Sequence, residues 1–449
     1  MYLLAALFIP LIVRAENATN AATNSGSANS GPMSPLLTRY LEAVCHRDEK
    51  TTLALIDQGL DVNKADTWGN PPLASAALFR MVATVKALVA HGADVHAKDG
   101  PNTSVMDRAI QSGSLEEVVF LLDHGVGVNE PINDVNGTSL MAAARRGDKD
   151  IVVMLLNRGA DVKAHSQDGI DAMNDAANSG HADIVALLVD HGADPNRGGL
   201  HDEMPLNEAA RAGNLDTVKM LIQKGAKPDA PSGPGGLTPL ANACCGSPGV
   251  GKDQVGVIQF LLQQGAKVSA PDDRGTTPLM LAATTYGRLD IIKTLVAAGA
   301  DIHSADGEGA KAFRKLIEVP SPGAPPGLKS LLQVGADPNW PVRNGYSALF
   351  YAIQVRPNAD IVAARASAKA DVNATRHQPP MGEFVGGPPP DYVYSALIAA
   401  VKADSVPMVK ALLEGGANAH YKDSEGKTAL DRAREKNNPE MIALLAKYS

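Results

Sequence analysis

The glycines of this chain keep a beat. Gly59, Gly92, Gly125, Gly159, Gly192, Gly225, Gly265, Gly299, Gly335 and Gly416 each open a tract reading Gly-Ala-Asp-Val or close to it, and Lys369 holds the same slot before Ala370-Asp371-Val372. The successive steps are 33, 33, 34, 33, 33, 40, 34, 36, 34 and 47 residues. A chain that repeats itself at this period folds as a stack of similar small units, each burying its apolar face against the next. At 449 residues it is also too long for one compact core of ordinary size. Eleven such tracts imply twelve units, counting both ends.

The register extends beyond the glycines. About fourteen residues after most of these positions stands a large apolar residue, with alanine three later. Leu73/Ala76, Met106/Ala109, Leu140/Ala143, Met173/Ala176, Leu206/Ala209, Leu240/Ala243, Leu279/Ala282, Leu349/Ala352, Leu397/Ala400 and Leu430/Ala433 comply, and only Phe313/Leu316 departs. A period of 33 with Thr238-Pro239-Leu240 and Thr277-Pro278-Leu279 resembles the ankyrin-repeat family. The resemblance covers residues 34–449. It implies an all-α solenoid of about twelve helix pairs joined by hairpin-like fingers. It also implies a concave face of fingers and first helices that binds other proteins.

Each slot has a physical reason. Threonine caps the first helix, and proline at its first position gives up an amide that would have no partner anyway. The apolar residue and the alanine share a face, and the alanine admits the neighbouring unit closely. In the second helix, Ile151/Val152 with Leu155/Leu156, and Ile184/Val185 with Leu187/Leu188, form a stripe toward the stack. The glycine ends that helix in the left-handed conformation, where a β-carbon costs about 1 kcal/mol. Asp-Val-Asn then turns the chain into the finger. The first unit, from Leu37 to Gly59, lacks the Thr-Pro-Leu opening, and the last, from Thr428 to Tyr448, ends without a finger. Both read as caps.

Departures from the pattern mark where function could sit. The family's histidine after Thr-Pro-Leu is replaced by Ala74, Asp107, Met141, Asn174, Asn207, Ala241 and Met280. The 40-residue step carries Gly246 to Lys252, which mimics a phosphate-binding loop. Asp253 stands where that loop needs Ser or Thr for magnesium, and a helix precedes it instead of a strand, so nucleotide binding is not expected. Val319 to Pro326 is proline-rich and interrupts its unit. Ala364-Arg365 replaces the usual Leu-Leu. The stretch from Ala310 to Lys369 is therefore expected to be the weakest of the array. The 47-residue step inserts residues 376–392, whose prolines and Gly386-Gly387 argue against regular structure. That insertion is a surface excursion or a partner-contacting arm bearing Phe384 and Tyr392.

Both tryptophans, Trp68 and Trp340, fall in fingers, where each ring either packs on a neighbouring finger or faces a partner. Exposed tryptophan is enriched at binding hot spots. Trp68, Trp340, Phe384, Tyr392 and Tyr421 are the partner-contacting candidates, with Tyr286 a weaker one. His91, His124 and His191 each precede a capping glycine, where a cation suits the helix dipole, and are not at metal-ligand spacing. The three cysteines have no metal spacing and are expected to be inert thiols. The net charge is −8 with no basic run, which argues against nucleic acid. No motif nominates a catalytic set, a cofactor or a metal, so the chain reads as non-catalytic.

Residues 1–15 resemble an export signal: Leu3 to Val13 is a short apolar run, and Val13-Arg14-Ala15 fits a cleavage site. The run is too short to span a bilayer as a helix. Residues 16–33, rich in Asn, Ser, Thr and Ala, are a linker. These features place the expected protein partner in the periplasm or outside the cell; without a working signal the location would be cytoplasmic. The alternatives are a secreted effector acting on a foreign cell, or a ligand-binding or enzymatic role sited in the inserted loops.

Overall fold

The computed structural model describes residues 33–199, 202–247, 249, 252–303, 307–318, 324–340, 348–355, 357–378 and 392–448. The export-signal segment and nearly all of the linker lie outside the described residues. Twelve helix pairs follow one another, from Pro35–Cys45 with Glu49–Asp57 to Ala429–Glu435 with Pro439–Leu445. We number them repeats 1 to 12. The chain divides into two compact units. The first runs through Ala209 and takes in Asp216–Lys227 and Ser232–Pro234; the second holds Ala210–Leu215, Pro228–Pro231 and Gly235–Ser449.

Within the first unit, first helices pack on first helices and second helices on second. Pro72–Leu78 of repeat 2 meets Val105–Ser112 of repeat 3, which meets Ser139–Arg146 of repeat 4. The same order holds in the second unit, where Pro239–Cys245, Pro278–Thr285 and Glu308–Glu318 follow one another. Caps start the first helices as the sequence requires. The hydroxyl of Thr238 accepts from Ala241 N at 3.2 Å, and that of Thr277 from Met280 N at 3.4 Å. Repeat 1 is capped in the same way by Ser34, which accepts from Leu37 N, followed by Pro35. Its apparent lack of the opening motif was a conservative replacement of Thr by Ser.

All ten glycines of the series take positive φ, from 84° at Gly159 to 104° at Gly125, and Lys369 adopts the same conformation at 60°. Four residues before each glycine lies a leucine: Leu55, Leu88, Leu121, Leu155, Leu188, Leu221, Leu261, Leu295, Leu331 and Leu412, all buried. Burying such a side chain stabilises by about 1.5–3 kcal/mol. The eleventh position is Arg365, and it is just as buried, at 1% exposure. His91, His124 and His191 use their rings locally, each Nδ1–H donating to the carbonyl four residues back (Ala87, Phe120, Leu187) at 2.8–2.9 Å.

The finger asparagines tie repeats together. Asn63 donates to Gly92 O at 2.9 Å and accepts from Asp94 N at 2.9 Å. Asn196 does the same with Gly225 O and Lys227 N, and Asn373 with Gly416 O and Asn418 N. One amide side chain therefore satisfies a helix-end carbonyl and a turn amide in the next repeat.

Two expectations need correction. Pro325 and Pro326 do not interrupt their repeat: they lie in the first turn of the helix Ala324–Gln333, where proline is tolerated. The flanks of the insertion are regular. Thr375–Gln378 and Tyr392–Ser395 pair antiparallel, Thr375 opposite Ser395 and Gln378 opposite Tyr392, so one short hairpin departs from the helical array. Residues 379–391 lie outside the described residues. Among the described residues, no helix is long and apolar enough to cross a membrane.

Candidate functional site

The finger side of repeats 1–3 holds a groove of about 540 Å³. Its floor is apolar: Leu41 and Val44 from the first helix of repeat 1, and Leu78 and Phe79 from the end of the first helix of repeat 2. Its wall is made by two fingers, through Trp68 and Pro101. Trp68 is 61% exposed, the most exposed of the large hydrophobic side chains among the described residues. The finger that carries it is rigid for reasons in its own sequence. Asp66 Oδ1 accepts from Trp68 N and from Asn70 N, both at 2.8 Å, and Gly69 turns the tip at φ 83°. The next finger must come close: a β-carbon on Gly100 would lie 1.9 Å from the Trp68 carbonyl oxygen. Only glycine fits there.

The polar groups in the groove are committed. Asp99 Oδ1 accepts from Thr103 N, and Arg108 Nε donates to Asp99 Oδ2 at 2.6 Å. Cys45, on the rim, has its thiol pushed up to about 11 by burial, so it is a protonated, poorly nucleophilic group. Cys244 is fully buried and its thiol is pushed higher still.

Of the two readings open for the tryptophans, Trp340 takes the packed one. It is 4% exposed and meets Phe313 edge-on at 5.6 Å between ring centroids. It lies five residues after Gly335, at the base of its finger, whereas Trp68 lies nine after Gly59, at the tip. Tyr421, also five after its glycine, is half-buried. Phe384 lies outside the described residues, and Tyr392 enters only through its backbone pairing with Gln378. The missed signal was the offset from the capping glycine.

The phosphate-loop mimic is occupied otherwise. Lys252 Nζ donates to Asn214 Oδ1 at 2.6 Å, and Asp253 caps the following helix by accepting from Gly256 N at 2.7 Å. Ser247 and the exposed Tyr286 join their hydroxyls at 2.8 Å across this loop. In the histidine slots, Asn174 Nδ2 donates to Glu203 O at 2.8 Å, and Asp107 accepts from Gln111. Burial raises the Asp107 carboxyl, and raises that of Asp175 to about 6, with Arg145 opposing both.

Twelve helix pairs, the ten left-handed glycines of the series and a ladder of bridging asparagines agree with the comparison that decides the family. A family model described as ankyrin repeats in three copies matches residues 99–165, 140–232, 206–306 and 385–449, more than half of the chain. The chain belongs to the ankyrin-repeat family. Individual relatives match shorter spans of the array. Palmitoyltransferase ZDHHC13 of Homo sapiens is 28% identical over 144 residues, 32% of this chain and 22% of that protein. SH3 and multiple ankyrin repeat domains protein 1 of Homo sapiens is 35% identical over 99 residues, 22% of this chain and 4% of that protein. The chain thus spans less than a third of the length of these curated relatives. Among solved structures, the human ASB11 ankyrin repeat domain aligns at 25% identity with a TM-score of 0.45, covering 52% of this chain and 99% of that one. An ankyrin array is a protein-interaction scaffold, and the fold is typically non-catalytic.

Proposed function

We propose that this ankyrin array is a non-catalytic scaffold that holds a partner protein on its finger side. The observation that carries this reading is the apolar groove of repeats 1–3, walled by an exposed tryptophan on a rigid finger. A large aromatic ring left in water, next to the half-buried Leu78 and Phe79, is an unfilled contact. The test is photo-crosslinking in the native host. Trp68→p-benzoylphenylalanine is expected to form adducts with a defined partner. Val153→p-benzoylphenylalanine, on an exposed second-helix position, is expected to form none. Adducts at 153 with none at 68 would overturn the assignment of the face.

Export is part of the same proposal and rests on the sequence of residues 1–15. A partner in the periplasm or outside the cell would then meet the array after cleavage beyond Ala15. N-terminal sequencing of the protein from separated cell fractions tests it; an intact Met1 on cytoplasmic protein would overturn it.

A further inference from the structure

Inside each repeat the first helix turns into the second at the ends of the helices away from the fingers. Among the described residues, nine of these turns hold a left-handed residue. Five are glycines (Gly113, Gly147, Gly180, Gly213, Gly287), and two are Asp404 and Asn437, residue types that visit this conformation readily. The other two are Arg47 and Arg80, at φ 53° and 57°, in the consecutive repeats 1 and 2. An arginine carries the β-carbon that this conformation penalises and lacks the short polar group with which Asn and Asp bond locally. Strained residues of this kind concentrate at functional sites.

Both arginines are exposed, and both line one concavity of about 550 Å³. Consecutive helices pack about 8–10 Å apart, so side chains from neighbouring turns can close on one small ligand. The other charged residues of the lining are Lys86, Glu49 and Glu116. Lys86 Nζ donates to Glu116 Oε1 at 2.6 Å, and those two charges answer each other. Two guanidiniums against one carboxylate remain. Neither guanidinium makes a hydrogen bond or an ion pair among the described residues. Arg80 pulls only weakly on the buried carboxyl of Glu117, which burial raises to about 8 and so keeps mostly protonated at neutral pH. Glu49 Oε1 accepts from Ala83 N at 3.2 Å, in the first turn of the helix Val82–Ala90. The concavity therefore already draws one oxygen of an anion, supplied by the chain itself. Guanidinium forks match the oxygens of phosphate, and two of them balance the charge of its dianion.

We propose that Arg47 and Arg80 bind a soluble phosphate, free or carried on a small monoester, in the concavity at the inter-helix turns of repeats 1 and 2. The site is separate from the finger-side groove, and neither reading rests on the other. Glu49 is its built-in competitor: phosphate displaces that carboxylate from Ala83 N or sits beside it, so the acid weakens binding. An opening of about 550 Å³ has room for the phosphate and a small attached group.

The test is thermal melting of the full chain in millimolar inorganic phosphate or phenyl phosphate, with sodium chloride at equal ionic strength as the control. Both phosphates should raise Tm in proportion to the logarithm of their concentration once the site is occupied, and chloride should not. Tighter binding of phenyl phosphate identifies a monoester as the ligand, and weaker binding identifies free phosphate. Arg47→Gly plus Arg80→Gly should remove the shift, yet without phosphate it should melt at or above the parent temperature, because glycine takes the left-handed turn freely. Arg47→Lys plus Arg80→Lys, which keeps the charge and the β-carbon but loses the fork, should weaken binding several-fold at unchanged Tm. Glu49→Gln, which still accepts from Ala83 N, should strengthen it several-fold. An equal shift in chloride or in the double-glycine variant overturns the proposal. So does a double-glycine variant that melts well below the parent, since the arginines would then be structural. Flotation with phosphatidylglycerol vesicles and no response to either soluble phosphate overturns it in favour of a membrane surface.

Discussion

Trp68 stands nine residues after its capping glycine, and Trp340 five after its own. The first ends in solvent at the tip of a finger in repeats 1–3. The second is buried at the base of a finger beside repeat 9, against Phe313. The neighbourhood of Trp340 contains a further oddity. Arg365 occupies the slot that ten other repeats fill with leucine, and its guanidinium lies over the Phe313 ring at 5.2 Å. Its Nη2 donates to the Pro338 carbonyl oxygen, while Nε and Nη1 have no hydrogen-bond partner. Burial pushes its pKa down, with Asp337 opposing. Repeats 1–3 thus spend an aromatic ring on the surface and keep a leucine spine within. The region around repeats 9 and 10 pulls its aromatic rings inward to accommodate a buried cation. The same repeat grammar yields a proposed binding surface in one place and a compensated defect in the other.

Exchanging the two tryptophans for alanine tests this contrast most severely. Trp340→Ala should cost the second unit about 3–5 kcal/mol, because it leaves a cavity against Phe313. Trp68→Ala should change stability by less than about 0.5 kcal/mol. Equal costs, read by denaturant melts, would break the comparison. Arg365→Leu is the next largest effect. Restoring the spine leucine should stabilise by about 1–4 kcal/mol, as replacement of buried charges by packed apolar groups often does. It should also slow hydrogen exchange across residues 310–369, the stretch expected to be weakest. Faster exchange in that variant would show that Phe313 and the Pro338 carbonyl more than offset the cost of the buried charge.

The first unit has a buried ionisable group of its own, and it gives a smaller, pH-dependent effect. Glu117, in the second helix of repeat 3, is fully buried, and neither carboxylate oxygen has a hydrogen-bond partner. Burial raises its pKa from 4.5 to about 8, against weaker opposing pulls from Ser114, Arg80 and Ser112. The folded state therefore holds a proton that the unfolded state releases above about pH 4.5. Its contribution to stability is present below that pH and is lost as pH rises through about 8. Glu117→Gln should accordingly raise Tm by several degrees at pH 8, at about 2–4 °C per kcal/mol for a unit of this size, and change it little at pH 4. A pH-independent difference would place the cost in packing instead of ionisation.

Much of the fold was legible because a repeat states its rules many times over. The capping glycines, the Thr-Pro starts and the apolar-plus-alanine pairs each recur, so chance agreement is negligible and even Lys369 could be assigned its left-handed slot. Repeat 1 departs from the motif only in its hydroxyl, since Ser34-Pro35 does the work of Thr-Pro. The candidate site was legible in part. Trp68 was named from its position in a finger, yet the same reasoning named Trp340, since both lie in tracts of similar composition. The groove beneath Trp68 was not legible, because its floor joins Leu41 and Val44 to Leu78, Phe79 and Pro101 across three repeats.

The sequence by itself determined the architecture, since period, caps and left-handed glycines are local requirements that each repeat meets with its own residues. It determined that ten leucines and one arginine share a slot, and that the first three fingers are acidic. Only the tertiary structure decided which tryptophan faces water and which is buried against Phe313. Exposure is a property of what packs against a residue, and here the packing partners come from the neighbouring repeats: Gly100 beneath the Trp68 carbonyl, and Phe313 against the ring of Trp340.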